Sequence, residues 1–172
     1  MSAVIRSTGL LPNAINPAGA ITGFYVDASS VERGFLRAPN GTFTTIDFPG
    51  AIATAAVAIN PAGAITGAYD DVNIVEHGFL RAANGTFTTF DPPGSKNTVP
   101  SAINPEGAIT GGYVVDASGT FHGFLRARDG TFTTFDPPGS ISTGPEDINP
   151  MGAITGIYED ASGTFHGFLR SP

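Results

Sequence analysis

Short apolar runs bounded by turn-forming residues follow one another along this chain in an order that repeats four times. AINPAGAITG at 14 to 23 returns as AINPAGAITG at 58 to 67, AINPEGAITG at 102 to 111 and DINPMGAITG at 147 to 156, at spacings of 44, 44 and 45 residues. GFLR recurs at 34, 78, 123 and 167, and GTFTT follows it at 41, 85 and 130. All four tyrosines, Tyr25, Tyr69, Tyr113 and Tyr158, stand in one column. Within a unit this pattern predicts four short strands. Asn-Pro-x-Gly sets Pro at i+1 and Gly at i+3 of a type I turn, so INPxG joins a first strand, a, to a second, b, of the form AITGxY. An Asp-containing loop such as DASGT leads to strand c, HGFLRA. Asn-Gly or Asp-Gly at 40, 84 and 129 then reads as a two-residue hairpin that folds strand d, TFTTFD, back on c. Pro-rich stretches such as DPPGSKNTVP cannot form strand interiors and carry the chain onward.

Four antiparallel strands in about 44 residues match the blade length of a propeller and exclude helical solenoids of shorter period. The expected fold is all-β: a four-bladed β-propeller of four antiparallel four-stranded repeats. It forms a single domain over 1–172, with units at about 14–57, 58–101, 102–146, and 147–172 plus 1–13. The fourth unit reaches GFLRSP where a d strand is due, and SAVIR precedes the first AINP. The N-terminal strand is therefore expected to close the last blade and remove an open edge. SAVIR lacks the Phe and Asp of TFTTFD, and its following loop is shorter. An open β-array, or a fragment that dimerises, is the alternative.

Composition narrows the function classes. With 23 Gly and 14 Pro in 172 residues, turns must be frequent and helices are not expected. Eight Lys and Arg face fifteen Asp and Glu, for a net charge of −7, and Lys96 is the single lysine, so nucleic acid is not an expected partner. Zero cysteines excludes disulfides, zinc-thiolate sites and thiol chemistry. No stretch approaches the roughly 20 apolar residues of a membrane helix, so no membrane partner is expected, and MSAVIRSTGLLPN has no signal-peptide core. A monomer is expected, with a dimer as the alternative.

The units with GFLR, GTFTTFDPPGS and INPxGAITG resemble the HAF-type repeats of bacterial proteins, over nearly the whole chain. The a-turn-b-loop-c-turn-d layout also looks like a WD-repeat blade without its Trp-Asp pair. The resemblance implies a propeller and an extracellular or periplasmic location. It implies no settled biochemical activity.

Recurring columns are read first as what each blade needs. Phe35, Phe79, Phe124 and Phe168, with Phe43, Phe87 and Phe132, are expected as wedges between adjacent sheets. Registering the c–d hairpin on its Asn-Gly or Asp-Gly turn sets the Gly of HGFLR opposite Asp47, Asp91 or Asp136, with Arg33, His77 and His122 as the neighbours of that Asp. His77, His122 and His166 share one column, so three imidazoles could hold zinc with an open fourth position. Strand c stands two steps of about 4.8 Å from strand a, which works against convergence on one ion. Asn16, Asn60, Asn104 and Asn149, at the end of strand a, could offer amide oxygens to calcium or close their own Asn-Pro-x-Gly turns. Asp27, Asp71, Asp116 and Asp160 carry the same choice between cation and loop cap.

Symmetry fails at one column in particular. It reads Asn13, Val57, Ser101, Glu146, and only the fourth unit follows with a second acid, Asp147, beside a loop expected to be one residue longer. Paired carboxylates there could share a proton or hold a cation, as in hydrolases of the calcium-dependent gluconolactonase and paraoxonase type, which the architecture resembles. The leading expectation is a binding or scaffold module for a small-molecule, glycan or protein ligand. Its contacts would lie on the d-to-a and b-to-c loops, with Asn13, Ser101, Lys96, Asn97 and the Val72 to Glu76 segment as binding residues. The rival is a calcium- or zinc-dependent hydrolase of esters, lactones or phosphotriesters, with Glu146, Asp147 and His122 as catalytic candidates. A lectin-like module using the Tyr or Phe columns is the third.

Overall fold

A computed structural model describes residues 9–172, and these contain strands and turns but no helix. Fifteen strands form four antiparallel sheets, each a simple meander. The first sheet orders β1 (Leu10–Ile15), β2 (Ile21–Val26), β3 (Glu32–Arg37) and β4 (Phe43–Ile46). The second holds β5 (Ala53–Ile59), β6 (Ile65–Asp70), β7 (Glu76–Arg81) and β8 (Phe87–Phe90). The third holds β9 (Asn97–Ile103), β10 (Ile109–Val114), β11 (Phe121–Arg126) and β12 (Phe132–Phe135). The fourth has three strands, β13 (Ser140–Ile148), β14 (Ile154–Asp160) and β15 (Phe165–Arg170). Each sheet carries one copy of the repeat, beginning several residues before the expected unit boundary because strand a starts at 10, 53, 97 and 140; the first three run a, b, c, d and the fourth, among the described residues, a, b, c. The chain divides into two compact units, one up to Phe90 and one from Asp91, each with two sheets. The expected N-terminal closing strand, SAVIR, lies outside the described residues.

The hairpins share one design, which corrects the expected register. Ala38 N–H donates to the Thr42 carbonyl (2.8 Å) and Gly41 N–H to the Ala38 carbonyl (2.9 Å), so Pro39, Asn40 and Gly41 form a three-residue loop. Gly41 takes φ +86°, the left-handed residue that ends such a loop. A three-residue loop moves the pairing by one position relative to a two-residue Asn-Gly turn. Gly34, Gly78 and Gly123 accordingly pair with Ile46, Phe90 and Phe135, and not with the aspartates that follow. A Cβ on Gly78 would come within 2.4 Å of the Phe90 ring, so the partner side chain lies across the bare glycine.

A second irregularity recurs in every sheet. The a–b pairing skips Asn13, Val57, Ser101 and Glu146, so the column that breaks the repeat symmetry is the extra residue of a β-bulge. The bulge drives strand a against strand b. A Cβ on Gly23, Gly67, Gly111 or Gly156 would meet a strand-a carbonyl oxygen at 2.0 to 2.3 Å, which accounts for the glycine in every AITG.

Within each compact unit the apolar core lies between its two sheets. In the first, Ile46 packs with Ala56, Ile59, Ile65 and Phe79, flanked by Leu36, Phe48, Tyr69 and Phe87. In the second, Ala102, Ile148 and Ile154 pack with Leu125, Phe135 and Phe168. Phe35, Phe79 and Phe124 are at most 1% exposed, as expected of the wedge positions.

Candidate functional site

The d-to-a and b-to-c loops meet at one end of a sheet. Ile52 N–H donates to the Asp70 carbonyl (2.9 Å) and Lys96 N–H to the Val114 carbonyl (2.6 Å). The buried Thr54 and Thr98 brace this corner. Phe48 N–H donates to Thr54 Oγ1 (3.1 Å), and Thr98 Oγ1 donates to Asp91 Oδ1 (2.6 Å). Sequence reasoning missed this threonine column, whose signal was its recurrence at 54, 98 and 143. It also missed Phe48, which replaces the first Pro of DPPG and stacks flat on Tyr69 with ring centroids 3.7 Å apart.

The same end carries a repeated polar array. The column Tyr25, Tyr69, Tyr113, Tyr158 on strand b pairs directly with Arg33, His77, His122, His166 on strand c. Tyr69 stacks on His77 and Tyr158 on His166, at 5.2 and 5.0 Å between centroids. Arg33 and His122 stand between two aspartates, one from the b-to-c loop and one from the end of strand d, whereas among the described residues His166 has the loop Asp160 alone. Arg33 is long enough to reach both, with Nε 3.0 Å from Asp27 and Nη1 3.4 Å from Asp47. Two of the shorter imidazoles, His122 and His166, hydrogen-bond to one. His122 Nδ1 lies 2.8 Å from Asp136, His166 Nε2 lies 2.8 Å from Asp160, and His77 Nε2 lies 3.8 Å from Asp71. The proposed Arg33–Asp47 and His122–Asp136 neighbours are thus in contact.

The loop aspartates act as caps. Asp27 Oδ1 accepts N–H bonds from Ser29 and Val31, and Asp71 Oδ1 accepts them from Asn73 and Val75. The Val31 and Val75 bonds are the main reason that these two carboxyls ionise below the usual carboxylate range. At Asp116 and Asp160 the Ser118 and Ser162 hydroxyls are the first cause of the same lowering, followed at Asp160 by His166. Glu76 moves the other way, raised by burial and then by the charges of Asp70 and Glu32.

One b-to-c loop departs from the others. Its left-handed position is glycine in the third and fourth repeats, Gly119 and Gly163, and Ser30 in the first, but in the second it is Ile74 at φ +62°. A β-branched residue in that region is strained. Ile74 is 76% exposed and Val72 beside it 73%, so two aliphatic side chains face solvent on a strained loop. In the second compact unit, Lys96 is exposed on the d-to-a loop of the third repeat, near enough to help lower the Asp116 carboxyl, and Asn97 opens β9 opposite Val114.

The remaining candidates sit elsewhere. Asn13, Ser101 and Glu146 are the bulge residues near the opposite end of strand a, next to the INPxG turn, and Asp147 follows Glu146 there. The two adjacent acids lie within β13, on the inner strand expected for them. Asp147 Oδ1 accepts the Ile148 N–H (2.8 Å), and Asn13 Nδ2 donates to the Ala56 carbonyl (2.9 Å), tying β1 to β5. The expected longer loop also moves: the extra residue of the 45-residue interval falls between β10 and β11, where six residues replace the five of the first two repeats.

Asn16, Asn60, Asn104 and Asn149 each accept a turn N–H on Oδ1, from Ala20, Ala64, Ala108 and Ala153 at 2.8 to 3.0 Å. Asn16 Nδ2 donates to the Asn60 carbonyl (3.3 Å) and Asn104 Nδ2 to the Asn149 carbonyl (3.4 Å). These amides therefore close their own turns and fasten neighbouring repeats. Among the described residues no group of three His, Asp or Glu side chains is placed to hold a metal ion.

Comparison with known proteins places the fold. No protein-family profile matches the sequence, and no curated protein matches it. Among solved structures, TolB from Acinetobacter baumannii superposes with a TM-score of 0.68 at 16% identity, over 94% of this chain and 40% of that one. A streptogramin B lyase superposes with a TM-score of 0.55 at 16% identity, over 97% of this chain and 56% of that one. Both are β-propeller proteins, and the present chain spans about half their length or less. The shared feature is the propeller type of sheet repeat.

Proposed function

We propose that the four sheets are the blades of a four-bladed propeller, and that it serves as a binding or scaffold module whose ligand face is built by the d-to-a and b-to-c loops. The observation that carries this reading is the loop at Asp71 to Val75. There, two aliphatic side chains are exposed and the backbone is strained at Ile74, where two of the other repeats use glycine. Folding gains nothing from either feature, and strain kept at an exposed loop tip marks a contact made with something else. In each repeat the array of Tyr with Arg or His and Asp offers a flat ring beside charged acceptors, and Lys96 and Asn97 distinguish the third repeat. Such a surface suits a ligand with an apolar part and hydrogen-bonding groups.

The test is a ligand-observed NMR screen of fragments and glycans against the whole chain, with amide shifts mapping each hit. Hits that perturb the 71–75 loop and its Asp–His–Tyr neighbours, and that are lost in the Val72→Ser, Ile74→Gly double variant, support the reading. Hits that map to the INPxG turns, or a screen without hits, refute it. Elemental analysis of the purified protein separates the rival: a stoichiometric calcium or zinc ion would favour metal-assisted hydrolysis instead.

A further inference from the structure

The fourth sheet has three strands where the others have four, so one edge of β15 has no strand beside it among the described residues. That edge has an internal template. Residues 116–126 and 160–170 are the same sequence, DASGTFHGFLR. In the third repeat the outer edge of this segment takes β12, with Gly123 opposite Phe135 and Arg126 opposite Phe132. β15 presents the same residues in the same order.

A cavity of about 460 Å³ adjoins the edge, and its walls include Phe135, Pro137, Tyr158, Phe168 and Arg170. The second repeat shows what fills that place. There the Phe87 ring lies 5.6 Å from Phe79 and 5.4 Å from Phe48, with the Arg81 guanidinium 5.9 Å from its centroid. Phe168, Pro137 and Arg170 hold the columns of Phe79, Phe48 and Arg81, so the cavity is the socket for the first phenylalanine of a d strand. Its surroundings fit that reading. Phe168 is half-buried where its three counterparts are fully buried, Leu169 is 76% exposed, and Arg170 Nη1 is buried without a hydrogen-bond partner.

We infer that the β15 edge and this socket accept an extended strand of the form Thr-Phe-Thr-Thr-(Ile or Phe)-Asp, the d-strand sequence of the other three repeats, supplied by a segment outside residues 1–172. The edge supplies main-chain hydrogen bonds and the socket supplies selection for an aromatic side chain, with Arg170 moving over its ring. This chain's own first eight residues do not match that chemistry, because they contain no aromatic residue. The spacing disagrees as well. Ile46, Phe90 and Phe135 each precede the matching strand-a residue, Ala58, Ala102 and Asp147, by twelve positions, an interval that sets Ser2 in the Ile46 column before Ala14. The inference stands apart from the loop face and does not depend on it.

The probe is a fluorescein-labelled peptide, RDGTFTTFDPPGS, titrated with the whole chain by fluorescence anisotropy. Saturable one-to-one binding is expected, weakened at least tenfold by alanine at the first phenylalanine of the peptide and by Arg170→Ala in the chain. Hydrogen exchange should slow at β15 amides when peptide is added, and removal of residues 2–8 should leave the affinity unchanged. Protection elsewhere, or no saturable binding with or without residues 2–8, overturns the proposal. Binding that requires removal of residues 2–8 overturns the proposal as well, since it would show that residues 2–8 hold the edge.

Discussion

Gly67 shows how one atom can decide a position. Its missing Cβ would lie 2.0 Å from the Ala55 carbonyl oxygen, a backbone atom held in the ladder by the bulge. Gly67→Ala is expected to destabilise the protein by about 3 kcal/mol, read as a shift of the urea midpoint. Ile74 has the opposite sign. Glycine there relieves left-handed strain but widens the unfolded ensemble, so Ile74→Gly is expected to stabilise by up to about 1 kcal/mol in the same assay. The loop aspartates set the acid response. Because Asp27, Asp71, Asp116 and Asp160 ionise below 3.8 when folded, the stability they contribute is complete above that value and is lost as pH falls through the depressed folded values. Urea midpoints should therefore drop between about pH 4 and pH 2, and Asp160→Asn should make that drop shallower.

At the scale of elements, the hairpin is the unit that the sequence encodes best. INPxG, the Asp-headed loop and the Asn-Gly or Asp-Gly turn were each readable as turns, because the residues that make them are contiguous. Their loop length was not, since two and three residues both satisfy Asn-Gly, and only ladder closure at Ala38 and Thr42 selects three. Asn16 joins two levels, its Oδ1 capping a turn and its Nδ2 reaching the next repeat. Asn16→Ala is expected to cost about 1 to 2 kcal/mol, more than a turn cap alone, by thermal or urea unfolding. The wedge phenylalanines should differ by repeat. Phe79→Ala empties a fully buried site and is expected to cost about 3 to 5 kcal/mol, whereas Phe168→Ala, beside the open socket, should cost clearly less.

For the whole molecule, the likeness to TolB at 16% identity shows how little of the sequence the fold requires. A propeller blade needs short strands at regular spacing and apolar faces for its neighbours, and many sequences meet that condition. Net charge belongs to this scale too. At −7, the chain is expected to pass through a heparin column at low salt without retention, which checks that polyanions are not its partners.

The sequence by itself determined the number of repeats, the four strand segments of the first three and three of the fourth, the places of the turns and the columns of Phe, Tyr, His and Asn. All of these depend on residues close together in the chain, where turn chemistry and apolar spacing act directly. Only the tertiary structure decided the register, the bulge beneath Asn13, Val57, Ser101 and Glu146, and the aspartates to which His122 and His166 bond. Those outcomes are settled by which backbone groups close a ladder and by the reach of a side chain across it. Residues as alike as His122 and His166, set in identical segments, therefore end on different partners, because among the described residues one has a d strand beside it and the other does not.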